Sequence, residues 1–177
     1  LYYQYFVGIA ALFYLFVGLF FLRKIFELFK INTLLSTILL TAVIFGTNLY
    51  HYALFAQGMS HVYSFALIST FIYFLCITIN NYSLKNGLIT VVILGLIALC
   101  RPTNLIIVFI APFFFNDFTD FIKWVKINLL RWHLFIYLPV FFTICAIQSF
   151  YWYKTTEMFY LDSYKYEGFN FSNPYIF

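Results

Sequence analysis

Apolar positions along the chain gather into long runs, separated by short clusters that hold nearly all of the charge. The first run, from about Leu1 to Leu22, stops at Arg23–Lys24, and "IFELFK" makes a short linker ending in Lys30. A second run covers about Ile31 to Leu49, and the polar-aromatic stretch "NLYHYALFAQGMSH" leads into a third from about Val62 to Ile79. After the turn "NNYSLKN" come two shorter apolar pieces, Gly87–Cys100 and Leu105–Phe115, divided by "RPTN". The stretch "NDFTDFIKWVKINLLRWH" mixes charges with Phe118, Phe121, Ile122, Val125 and Leu129, which predicts an amphipathic helix lying at a membrane interface. A last run spans about Leu134 to Tyr151, and residues 152–177 form a polar-aromatic tail.

Several of these runs approach the roughly 20 residues that a helix needs to cross a bilayer. The two pieces around "RPTN" do not. As α-helices they would be about 21 Å and about 17 Å long, against a hydrocarbon core of about 30 Å. Pro102 lacks an amide proton and disfavours helix at the residue before it, so a break is expected at Arg101–Thr103. A break also moves Arg101 to a helix end, away from the cost of roughly 2.5–3.5 kcal/mol that arginine carries at mid-membrane. The fold expected is therefore all-α: a polytopic transmembrane helix bundle with about six membrane segments, some short or broken, plus the interfacial helix.

The bias of lysine and arginine in short loops orients such a bundle. With six segments, Arg23, Lys24, Lys30, Lys85, Lys123, Lys126 and Arg131 face the cytoplasm, and Arg101, Lys154 and Lys165 face outward. If 87–115 is instead one broken span, the second half inverts with a nearly equal charge count, and it is the proline that favours six.

Composition sharpens the class. Hydrophobic residues make up 64% of the 177 and charged residues 9%, where soluble domains carry about 25% charged residues. The net charge of +4 suits basic loops beside a membrane, and no basic patch points to nucleic acid. Cys76, Cys100 and Cys145 all sit in apolar runs with no pairing or metal spacing, and read as small buried hydrophobes. The first run lacks a basic leader region and a cleavage site, so it is not a signal peptide. A chain that begins at Leu1 and ends at Phe177 in this manner reads as a fragment of a longer membrane protein, with regions missing upstream and downstream.

Three clusters carry candidate chemistry. Arg101 is always charged and grips phosphate oxygens bidentately, with Thr103 and Asn104 adding hydrogen bonds and the N-terminus of the following helix aimed at the same gap. The plainer reading is an arginine anchoring a helix to lipid headgroups. In "QGMSHVYSF", His61 and Tyr63 stand on the same outer side and suit sugar hydroxyls or a phosphate, beside the plainer reading of an interfacial aromatic belt. One outer cavity holding both His61 and Arg101 is expected. In "DSYKYEGFNFSNPYIF", Asp162 and Glu167 are candidate acid/base groups on an external loop, with Glu167 the candidate site residue, although lone carboxylates on loops are usually only solvated. No nucleotide loop, zinc-protease pair or serine elbow occurs.

In this order between spans, "GMSHVYSFAL", "ALCRPTNLI" and "YEGFNFSNPYI" resemble bacterial GT-C membrane glycosyltransferases, and more narrowly the family-39-like enzymes that draw sugars from polyprenyl-phosphate carriers. The resemblance implies a helical bundle in the plasma membrane with a cavity on the outer side and a glycan or lipid acceptor. The donor is a lipid-linked sugar and no further cofactor is expected; metal dependence is left open, and no metal-ligating residues are singled out in the sequence. The resemblance puts the general base, a carboxylate on the first external loop, upstream of Leu1. Arg101 matches the arginine that meets the carrier phosphate, and Asn104, His61, Tyr63 and Glu167 would complete the substrate site. A transporter of lipid-linked sugars and a non-catalytic assembly subunit of the membrane are the other readings, since a broken helix beside an intramembrane arginine also serves transport.

Overall fold

The structure, a computed structural model, describes residues 2–128 and 132–159. Within them the chain folds as α1 (Tyr2–Leu28), α2 (Thr33–Phe45), α3 (Leu49–Leu54), α4 (His61–Asn80), α5 (Leu84–Cys100), a 3₁₀ helix (Pro102–Phe114), α6 (Phe118–Asn128) and α7 (Leu134–Thr156), with no strand. The all-α expectation holds, and the break falls at Arg101. The count of membrane segments does not hold. Three helices, α1, α4 and α7, are long and apolar enough to cross a membrane, or up to four if the 3₁₀ helix and α6, bent by 110°, form one broken span.

The correction comes from helix ends. The second run was expected to cover some nineteen residues, but Asn32 caps α2 by accepting from the amide of Leu35 at 2.7 Å, and the helix ends at Gly46. That leaves 13 residues, about 20 Å of helix. Gly46, Thr47 and Asn48 then lead into the short α3, inside what read as loop. α5 begins earlier than expected, where Ser83 accepts from the amide of Asn86 at 3.2 Å, yet reaches only 17 residues before Pro102 stops it. Conversely, α1 runs past the expected stop to Leu28, because Glu27 pairs with Lys24 at 2.8 Å and Arg23 at 3.3 Å one turn apart. The turn that follows closes with Lys30 at φ 55°, its amide donating to Glu27 and that of Ile31 to Phe26, the paired bonds of a left-handed helix stop.

The 3₁₀ helix was expected as a short α-helix. Its 13 residues rise by about 2.0 Å each, about 26 Å in all. Pro102 opens it, at a position whose amide would be unpaired anyway, and Pro112 inside it removes one donor from the ladder.

Contacts between helices fix their directions. Tyr14 meets Tyr63 at 5.0 Å and Phe21 meets Tyr73 at 5.4 Å, so α1 and α4 run parallel. Ser64 faces Cys100 and Thr78 faces Thr90, so α5 runs back along α4. The 3₁₀ helix descends again, from Asn104 beside Ser64 to Phe114 stacked on Phe29. Tyr137 and Ile144 of α7 lie over Gly87 and Gly95, so α7 parallels α5. One core joins Leu15, Leu49, Ala53 and Val62; another joins Phe71, Leu75, Ile93 and Ile97 under the 3₁₀ helix. The Thr78–Thr90 hydroxyl pair, 3.0 Å apart and buried, links α4 to α5: one hydroxyl donates to the other, which donates in turn to the carbonyl one turn back in its own helix.

Two ends result. Arg23, Lys24, Lys30, Lys85, Lys123 and Lys126 lie at the end where α6 sits, and Arg101 and Lys154 lie at the other. This is the expected division for every described cation; Arg131 and Lys165 lie outside the described residues. At the α6 end, Tyr82 locks the joint. Its hydroxyl donates to the Asn128 carbonyl and meets that of Tyr137, both at 2.9 Å. Burial, then the bond to Tyr137, pushes this phenol up from its ordinary value.

Gly18 lets α1 approach α4: a β-carbon there would overlap the Phe65 ring and stand 3.1 Å from the Ala66 α-carbon. Gly18→Ala is expected to cost about 1–3 kcal/mol, read as a lower midpoint in denaturant unfolding of the protein in micelles. An unchanged midpoint would mean that the two helices separate without loss.

Candidate functional site

The cluster around Arg101 is built by a helix that must end. Pro102 cannot donate and forces Arg101 into an extended conformation, φ −155° and ψ 115°. The main chain of Arg101 is nonetheless pinned on both sides. Its amide donates to Ile97 at 3.0 Å, closing α5, and its carbonyl accepts from the amide of Asn104 at 2.9 Å, opening the 3₁₀ helix. The arginine is half-buried.

A chain of side chains ties this break to the first turn of α4. The Asn104 amide donates to the Ser64 hydroxyl at 2.9 Å, Ser64 lies 3.4 Å from the Cys100 sulfur, and Cys100 reaches the Ser60 carbonyl at 3.8 Å. Ser64 is buried, at 8% exposure, so its bonds are made away from solvent. Hydrogen bonds of this kind between apolar helices fix rotation and register as well as adding stability.

His61 follows Ser60 in that turn and is exposed, its ring stacked on Tyr52 at 4.0 Å and 24°. His61 and Arg101 thus stand at the same end of the bundle. Tyr63 turns the other way: its hydroxyl donates to the Gln57 carbonyl at 3.1 Å and its ring meets Tyr14 of α1. A cavity of about 540 Å³ opens there, lined by Tyr3, Gln4 and Val7 of α1 and by Phe55, Ala56, Gln57, Gly58 and Met59. Neither His61 nor Arg101 lines it. Glu167 and the loop around it lie outside the described residues.

Asn104 also acts differently from the expectation. Its side-chain amide is directed to Ser64 and its main-chain amide to Arg101, so it latches the break. The following helix offers fewer amide donors than an α-helix start would: Pro102 has none, and Asn104 uses its own, which leaves Thr103. The site's positive charge is thus concentrated in the arginine side chain.

Sequence reasoning missed Ser64, Ser60 and the polar role of Cys100. Ser64 stands one turn after His61 inside a stretch already noted for its aromatics, and a small hydroxyl on an apolar helix was its only signal. Cys100, read as a buried hydrophobe, is half-buried and hydrogen-bonded; Cys76 is buried. Among the described residues no group of three or more His, Cys, Asp or Glu is placed to hold a metal ion.

Compared with family models, curated proteins and solved structures, the chain matches none.

The latch is testable by a double-mutant cycle. Ser64→Ala and Asn104→Ala are each expected to lower unfolding stability in micelles, with a coupling of about 0.5–1.5 kcal/mol between them. Strictly additive losses would show that the two side chains do not act together.

Proposed function

We propose that the chain forms part of a membrane glycosyltransferase that moves a sugar from a polyprenyl-phosphate carrier to a glycan or lipid acceptor. The observation that carries this reading is Arg101. It is a permanent cation at a proline-enforced helix break, with its main chain bonded on both sides and the break latched through Asn104 to α4. A cation so fixed at the end of an apolar bundle suits a phosphate that arrives attached to a lipid. The order of "GMSHVYSFAL", "ALCRPTNLI" and "YEGFNFSNPYI" supports the same family.

In this mechanism an acceptor hydroxyl loses its proton to a general base and its oxygen attacks the anomeric carbon. The bond from that carbon to the carrier phosphate oxygen breaks, and the carrier phosphate leaves with the electron pair. Arg101 meets the negative charge growing on it, and a charge already in position need not reorganise as the bond breaks. His61, exposed in the neighbouring turn, would meet the donor sugar; Tyr63, turned toward α1, would contribute through the turn at Gln57. On this reading the α6 end, with its surplus of cations, is the cytoplasmic one, and Arg101 works on the outer face of the plasma membrane.

The assay is sugar transfer from a polyprenyl-phosphate sugar in liposomes, with helicity checked in parallel. Arg101→Lys keeps a point charge but loses the bidentate grip. Losing one charge-assisted contact of about 1.5–3 kcal/mol lowers the rate roughly ten- to a hundred-fold. Arg101→Ala is expected to be worse, and Lys154→Ala at the same end nearly neutral. A normal rate in Arg101→Ala would assign the arginine to headgroup anchoring and remove the reading.

A further inference from the structure

At the end opposite Arg101, α6 is laid across the bundle. The 3₁₀ helix runs along α4 and α5, and α6 turns 110° from it. α6 is held at both ends. Phe115 contacts Phe121 at 5.5 Å and Trp124 at 5.8 Å on one side, and Tyr82 meets Trp124 at 6.1 Å and the Asn128 carbonyl on the other. These contacts turn Phe121, Trp124 and Asn128 inward. Thr119, Asp120, Lys123, Lys126 and Ile127, at helical spacing on the opposite side, are exposed.

Cations from other elements flank that exposed face. Phe29, stacked on Phe114 at 6.2 Å, brings Lys30 to the start of α6. Lys85, in the first turn of α5, follows Tyr82 at its far end. This end carries six described cations against the three acids Glu27, Asp117 and Asp120, an excess of three; the Arg101 end carries two against Glu157, an excess of one. Exposed apolar groups accompany the charge: Phe118 at 67%, Ile127 at 56% and Trp132 at 59%. A helix with lysines outward and large apolar groups at its edges, fixed across the end of a membrane bundle, matches a layer of anionic headgroups over acyl chains.

We propose that the outward face of α6, with Lys123 and Lys126 at its centre and Lys30 and Lys85 at its flanks, is a docking surface for acidic phospholipid headgroups. The argument is independent of the transferase reading, because it uses the other end of the bundle and none of its site residues. Lys123, bonded to Asp120 at 3.1 Å and 71% exposed, can exchange that partner for a lipid phosphate without unburying anything.

The test uses the whole protein in bilayers that contain a phospholipid brominated on its acyl chain, either acidic or neutral. Quenching of Trp124 and Trp132 is read in a Trp152→Phe background, since Trp152 lies toward the other end of α7. The acidic lipid is expected to quench at about five-fold lower mole fraction or less, the scale of one lysine near a charged surface. The preference is expected to fall toward unity in Lys123→Gln/Lys126→Gln and to be unchanged in Lys154→Gln. A salt titration of the otherwise unaltered Trp152→Phe protein gives an independent arm, in which the preference must weaken as ionic strength rises. Equal quenching by the two lipids would overturn the proposal. So would a preference that survives both the double substitution and salt, or one that Lys154→Gln removes equally. Equal quenching by the two lipids, together with binding of a soluble acidic peptide that Lys123→Gln/Lys126→Gln abolishes, would assign the surface to a protein partner instead.

Discussion

A peptide group in hydrocarbon has no water to bond, and every element of this protein answers that constraint. Helices satisfy their own amides and carbonyls, so every regular element among the described residues is a helix. The demand then moves to the helix ends, where unpaired groups remain. Asn32, Ser83 and the left-handed turn at Lys30 meet it locally. Arg101 meets it in a more consequential way, since the proline that ends α5 also starts the next helix, and the arginine's own amide and carbonyl serve one helix each.

The same constraint explains where polar side chains occur inside the bundle. Thr78 and Thr90 bond each other, and the one that accepts donates to its own helix; Ser64 accepts from Asn104 and meets Cys100. These bonds lie along the α4–α5 pair, one near each end, so that pair has both a fixed rotation and a fixed register. The 3₁₀ helix and α7 pack against it, and the glycines at 18, 87 and 95 stand where α1 and α7 come close. The Arg101 break and the α6 platform are consequences of how this pair is held.

The two ends of the bundle differ in kind. One holds hydroxyls, an amide, a thiol and an imidazole at the same end as one arginine, with few other charges. The other gathers cations on an outward face, over a joint of aromatic rings. In a membrane these two ends meet different surroundings.

Much of this was legible in the sequence. Run lengths and scarcity of charge determined the helical membrane class, the proline at 102 determined the break, and lysine spacing determined which cations share an end. Each is a local property: the transfer free energy of a run, or the missing proton of one residue. The number of crossing helices was not legible, because Asn32 and Gly46 cut one run short while Glu27 carried another past its charges, and run length alone does not weigh caps against hydropathy. The site was legible only in part. Arg101, Asn104 and His61 were found at one end, but Ser64 was not, nor was the turning of Tyr63 toward α1. Those depend on how each helix is rotated about its axis, and rotation is set by which glycine admits which ring and which hydroxyl meets which amide once the helices touch.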